Sequence, residues 1–258
     1  MSARRVFGGA VALVGVMHVI FGEAPTRLFP VWPEALPGRP FWAHGAGAAL
    51  AVLGAMIVLR KHAREAAAGI GLIVLVAVLG MHLPRAIPSG ALGNAWLSVL
   101  KFAALAVGAA FVAHGIAGDA RRPAFDRALR LGAAATPWLL GAFMIYSGYL
   151  HLRYTASVTR LLPPWMPWPM FWISFTGATL IAGGAGLMIP RVARLAALLT
   201  SVMIFGFFLL VHIPRTLADP SGSTGWLELG ESMAYCMVAL LLAGVRPRSQ
   251  AGGHLTSS

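Results

Sequence analysis

The sequence predicts an all-α integral membrane protein whose eight transmembrane helices form two parallel four-helix repeats, related by a pseudo-two-fold axis along the membrane normal. Composition is the first reason. Apolar residues are 58% of the 258 and charged residues only 11%, with mean hydropathy +0.76, whereas a soluble domain keeps its surface wet with about a quarter charged residues. Length is the second: eight mostly apolar stretches reach the roughly 20 residues that cross a bilayer. Duplication is the third. Gly15, His18, Arg27, Leu28 and Pro30 recur as Gly148, His151, Arg160, Leu161 and Pro163, a constant shift of 133. After a three-residue deletion the shift becomes 130, and Phe41, Trp42, Gly47, Gly54 and Arg64 return as Phe171, Trp172, Gly177, Gly184 and Arg194. His82, Pro84, Arg85 and Trp96 return as His212, Pro214, Arg215 and Trp226.

The expected spans are 5–22, 40–59, 67–84, 92–116, 134–152, 169–189, 192–213 and 226–245. Lipid offers no partner to a free backbone amide, so such segments read as helices. The first span follows Arg4 and Arg5 and also resembles an export signal with a twin-arginine flavour. Its counterpart 134–152 lies mid-chain, which argues that it stays as a helix. Between spans one and two stand Pro25, Pro30, Pro33 and Pro37, with Pro40 opening the next helix; the second copy has Pro163, Pro164, Pro167 and Pro169 among Trp165, Trp168 and Trp172. Proline pre-sets a turned or extended path, so both segments read as rigid caps. Their tryptophans suit either an aromatic belt at the headgroups or a lid over an apolar ligand. Pro84 and Pro214 are expected to close spans three and seven. The units are then 1–116 and 134–246, joined by 117–133 with a short interfacial helix at Ala124–Leu131, and 247–258 is a disordered polar tail.

Because four spans return the chain to its starting side, the copies run parallel. Arg4, Arg5, Arg60, Lys61, Arg64, Arg121, Arg122, Arg127, Arg130, Arg191, Arg194, Arg246 and Arg248 all fall on one side, with Glu65, Asp119 and Asp126. Seven cations and five acids fall on the other. The positive-inside rule puts both termini in the cytoplasm of a bacterial-type inner membrane. The net charge of +12 is therefore a topology signal. Scattered over short loops, it argues against nucleic acid as a partner. A lone cysteine, Cys236, excludes an internal disulfide or dithiol relay.

The candidate chemistry is the polar set present in both copies. His18, His82, His151 and His212 fall near the outward helix ends, Arg85 and Arg215 follow a turn further out, and Arg27 and Arg160 come from the outer loops. Neutral imidazole and guanidinium at one depth have three uses: donors to the carbonyls of a quinone, axial ligands of a haem with arginines on its propionates, or a metal site. For the last, Met17 and Met81 suit a soft ion such as Cu(I), but the second copy has Leu150 and Val211 in their places. The bland alternative is that each His bonds a neighbouring carbonyl and each Arg caps a helix. Lys101 and Glu231 occupy matching positions with opposite charge. An unpaired charge at that depth is costly, so a salt bridge between the copies is expected. Glu228 lies a turn further out and is placed to assist.

Ser147-Gly148-x-x-His151, Leu162-Pro163-Pro164-Trp165-x-Pro167-x-Pro169, Gly177, Gly183-Gly184-x-Gly186-Leu187, Ala193-Arg194-x-Ala196-Ala197, His212-x-Pro214-Arg215 and Trp226 together resemble a DoxX-like four-helix membrane unit. The first copy resembles it more loosely, through Gly15, His18, Pro30, Phe41, Trp42, His82, Pro84, Arg85 and Trp96. That family takes its name from a subunit associated with thiosulfate:quinone oxidation, and its members look like accessories to membrane redox or thiol-stress systems. The resemblance implies an accessory or subunit of a quinone-linked redox system, with a quinone and a redox partner protein as its company. A haem- or metal-holding electron-transfer protein and a scaffold or transport protein without chemistry stand as alternatives, and none of these readings requires the chain itself to be an enzyme. With no CxxC, phosphate loop or nucleophile triad, an independent hydrolase or nucleotide-driven pump is disfavoured.

Overall fold

The computed structural model describes residues 2–22, 38–89, 94–118 and 122–244. Among these every regular element is helical, and eight helices are long and apolar enough to cross a membrane. They are α1 (Ala3–Phe21), α2 (Arg39–Leu59), α3 (Ala63–Ser89), α4 (Asn94–His114), α5 (Pro123–Arg153), α6 (Pro169–Met188), α7 (Ala193–Ala218) and α8 (Ser223–Ala243). The first proline-rich segment, Arg27, and the tail 247–258 lie outside the described residues. The second outer segment is a turn of helix at Thr155–Val158 followed by a 3-10 turn at Thr159–Leu161. It ends on Trp168, held at φ 50° at the head of α6. Trp165 and Trp168 are exposed.

Two expected boundaries are overturned. Pro84 and Pro214 do not end their helices; α3 runs on to Ser89 and α7 to Ala218. A proline ring clashes with the carbonyl four residues back and offers no N–H to it. Both helices absorb this by widening into a π turn immediately before, Val78–His82 and Phe208–His212, where the Leu83 N–H reaches Val78 O and the Ile213 N–H reaches Phe208 O, five residues back. Ala124–Leu131 is likewise no separate interfacial helix. Pro123 sits at the first position of α5, the place where a missing N–H costs nothing, and the helix continues unbroken through Pro137 to Arg153.

Packing follows chain order. Each helix lies against its sequence neighbours, α8 returns to lie against α1, and α4 also touches α8. The ring thus has a chord, so α8 completes the interior of the first four helices and α4 that of the last four. The tightest seams are made by glycines. A Cβ on Gly15 would stand 2.5 Å from Gly47 O, and one on Gly54 would stand 2.5 Å from Gly8 O. In the α5–α6 seam, Gly148 meets Gly177 O at 2.5 Å and Gly141 meets Gly184 O at 2.6 Å. Without a hydrophobic drive between helices in lipid, this close backbone approach supplies much of the association.

Arginines finish several helix ends. Arg5 Nε donates to Val58 O and Arg194 Nε to Ala243 O, at the last turns of α2 and α8, while Arg64 pairs with Asp126 at 2.5 Å and lies over the Phe125 ring. In the core, Cys236 is 2% exposed and its thiol and carbonyl both face Ser201. A membrane-permeant maleimide is therefore expected to leave Cys236 unmodified in the folded protein and to label it on denaturation. Stoichiometric labelling under native conditions, read by mass spectrometry, would contradict this packing.

Candidate functional site

The four histidines fall into two kinds. His18 on α1 and His151 on α5 each turn Nδ1 back on the carbonyl four residues earlier, Val14 O at 2.8 Å and Ser147 O at 2.7 Å. A carbonyl only accepts, so Nδ1 carries a proton in both rings. His82 and His212 close the two π turns. The wider turn re-aims the residue that ends it, and such bulges recur at functional positions.

The halves then diverge. In the first, His18 and His82 are buried, at 1% and 3% exposure. The His82 ring lies 4.8 Å from that of Phe102, and the same ring has Lys101 Nζ 4.7 Å from its centre. Lys101 forms an ion pair with Glu231. Tyr235, four residues on from Glu231 and so on the same helix face, donates its hydroxyl to Lys101 O at 2.5 Å. Phe102 thus touches both the His82 ring and the Lys101 ammonium, and the ion pair ties α4 to α8. Beside it is a cavity of about 20 Å³ with Val14, Phe102 and Glu231 in its wall. That is room for one water.

In the second half His212 Nδ1 lies 3.5 Å from Glu228 Oε2 and Arg215 Nη1 donates to the same oxygen at 2.6 Å. All three are largely but not wholly covered. The His212 Nδ1 atom is buried and makes no hydrogen bond among the described residues. Glu228 stands three residues before Glu231, about 4.5 Å along α8, so the two clusters are stacked one turn apart on one helix face. The difference between halves has a sequence cause: the positions matching Glu228 and Glu231 on α4 are Ser98 and Lys101.

Other expected members are not gathered. Arg85 is exposed on α3, and Arg160 is exposed and donates to Ser157 Oγ at 3.2 Å. Among the described residues no three His, Cys, Asp or Glu side chains converge as a metal set would require. Tyr235 and Phe102 went unnoticed in the sequence. The i, i+4 spacing of Tyr235 from Glu231 was a usable signal, while nothing marked Phe102 among so many apolar neighbours.

A family model described as Domain of unknown function (DUF8561) matches residues 140–244, which are the last four helices less the opening turns of α5. No curated protein and no solved structure matches the chain.

Proposed function

We propose that this is a bacterial-type inner-membrane protein of two parallel four-helix units with cytoplasmic termini, holding a quinone at its outward face as an accessory or subunit of a redox system. The paired π turns before Pro84 and Pro214, the matched glycine seams and the common His18 and His151 geometry support the duplication. The DoxX-like motifs support the redox setting. A single observation carries the site: the buried His212 Nδ1, which makes no hydrogen bond among the described residues, beside Glu228 and Arg215. A guanidinium and an imidazole N–H are donors for a ring carbonyl. A carboxylate shared between them can take or give the proton that quinone reduction requires.

The test is binding of a short-chain benzoquinone to protein purified in mild detergent. Arg215→Gln is expected to weaken it about tenfold, the loss of one hydrogen bond to a charged group. Absence of any quinone in solvent extracts, together with no binding to the wild type, would overturn the reading. A Soret band in the absorption spectrum would favour the haem alternative.

A further inference from the structure

A groove of about 430 Å³ lies between α4, α5 and α6, walled by Leu100, Ala142, Ile145, Tyr146, Tyr149 and Met188. Where α8 packs on α1, position 230 is glycine, and a Cβ there would already lie 2.6 Å from Val14 Cγ2 and 3.0 Å from Ala10 O, so that seam is closed. The matching position on α4 is Leu100. Its side chain lines the groove, and further along the two helices meet where Thr136 Oγ1 donates to Val107 O at 2.9 Å.

The groove follows one face of α5. Ala142, Ile145, Tyr146 and Tyr149 recur at helical spacing, and the next step on that face, four residues beyond Tyr149, is Arg153. Arg153 is exposed at the end of the helix, lies over the Tyr154 ring at 5.3 Å, and takes part in none of the ion pairs among the described residues. From Ala142 to Arg153 the helix rises about 16 Å, about half of a hydrocarbon core roughly 30 Å thick. A hydrocarbon wall about 10 Å long with a cation one helical turn beyond it is complementary to one membrane component: a chain with a phosphate at its end. We propose that this groove is a site for an anionic glycerophospholipid, with one acyl chain along Ala142, Tyr146 and Tyr149 and the phosphate on Arg153. The site is independent of the quinone reading and involves none of its residues.

The experiment uses the full chain in detergent. Thermal unfolding is followed with added dioleoylphosphatidylglycerol, dioleoylphosphatidylcholine or a polyprenyl phosphate, and retained lipid is counted by native mass spectrometry. Phosphatidylglycerol is expected to raise the midpoint more than phosphatidylcholine and to bind about tenfold more tightly, the worth of a charge-assisted contact. Arg153→Gln removes that preference and Arg153→Lys restores part of it. Ala142→Phe, which fills the groove, releases the retained lipid. Equal responses to the two phospholipids, an unchanged preference in Arg153→Gln, lipid retained by Ala142→Phe, or binding of polyprenyl phosphate alone would each overturn the proposal. Arg153→Gln changes an exposed side chain, so the test survives even if the groove-filling variant does not fold.

Discussion

Glu231→Leu is expected to destabilise the protein by about 3–5 kcal/mol, the usual consequence of leaving one member of a buried ion pair without the other. Lys101 then sits beneath Phe102 in the interior with no counter-charge. Lys101→Met alone should cost a similar amount, whereas Lys101→Met with Glu231→Leu should lie within about 1 kcal/mol of the wild type or above it. Unfolding midpoints in detergent and denaturant give the double-mutant cycle. Two single variants as stable as the parent would show that the pair holds nothing. The result also bears on function. If the double variant is stable yet fails to bind quinone, the charges belong to the site and not only to the seam between α4 and α8.

Gly148→Leu should be the second severe change. Any side chain there begins 2.5 Å from Gly177 O and 2.8 Å from Ile181 Cγ1, so α5 and α6 must part along their closest contact. Overpacking of this kind costs about 1–3 kcal/mol when neighbours can adjust. Here the obstacle includes backbone, which cannot turn aside as a side chain can, so the upper end is expected. Gly206→Ala is the control, since nothing lies within 4 Å of a Cβ at that position. Equal thermal midpoints for the two variants would remove the seam from the account of stability.

Much of this architecture was readable beforehand because its causes are local. Span length, the absence of charge and the repeated Gly, His and Pro positions all act within one helix or between neighbours. The glycines at 15, 47 and 54 and at 148, 177 and 184 were visible as recurrences, and the structure gives them a reason in backbone approach. The proline boundaries misled because a helix can widen for a turn and continue, an outcome that turn propensities do not encode. The site was harder still. Lys101 and Glu231 meet only because α8 lies against α4 as well as α1, which no pattern inside one repeat reveals. Arg85 and Arg215 look equivalent in sequence, but only α8 carries a carboxylate, Glu228, in the register that receives a guanidinium.

The return of α8 onto α1 gives the molecule a cyclic order with no privileged first helix. Seven of the eight neighbour contacts are made across a connecting segment, and the eighth, α8 with α1, lacks only a covalent link. Joining the two ends and cutting between α4 and α5 yields a circular permutant with the same set of helix contacts.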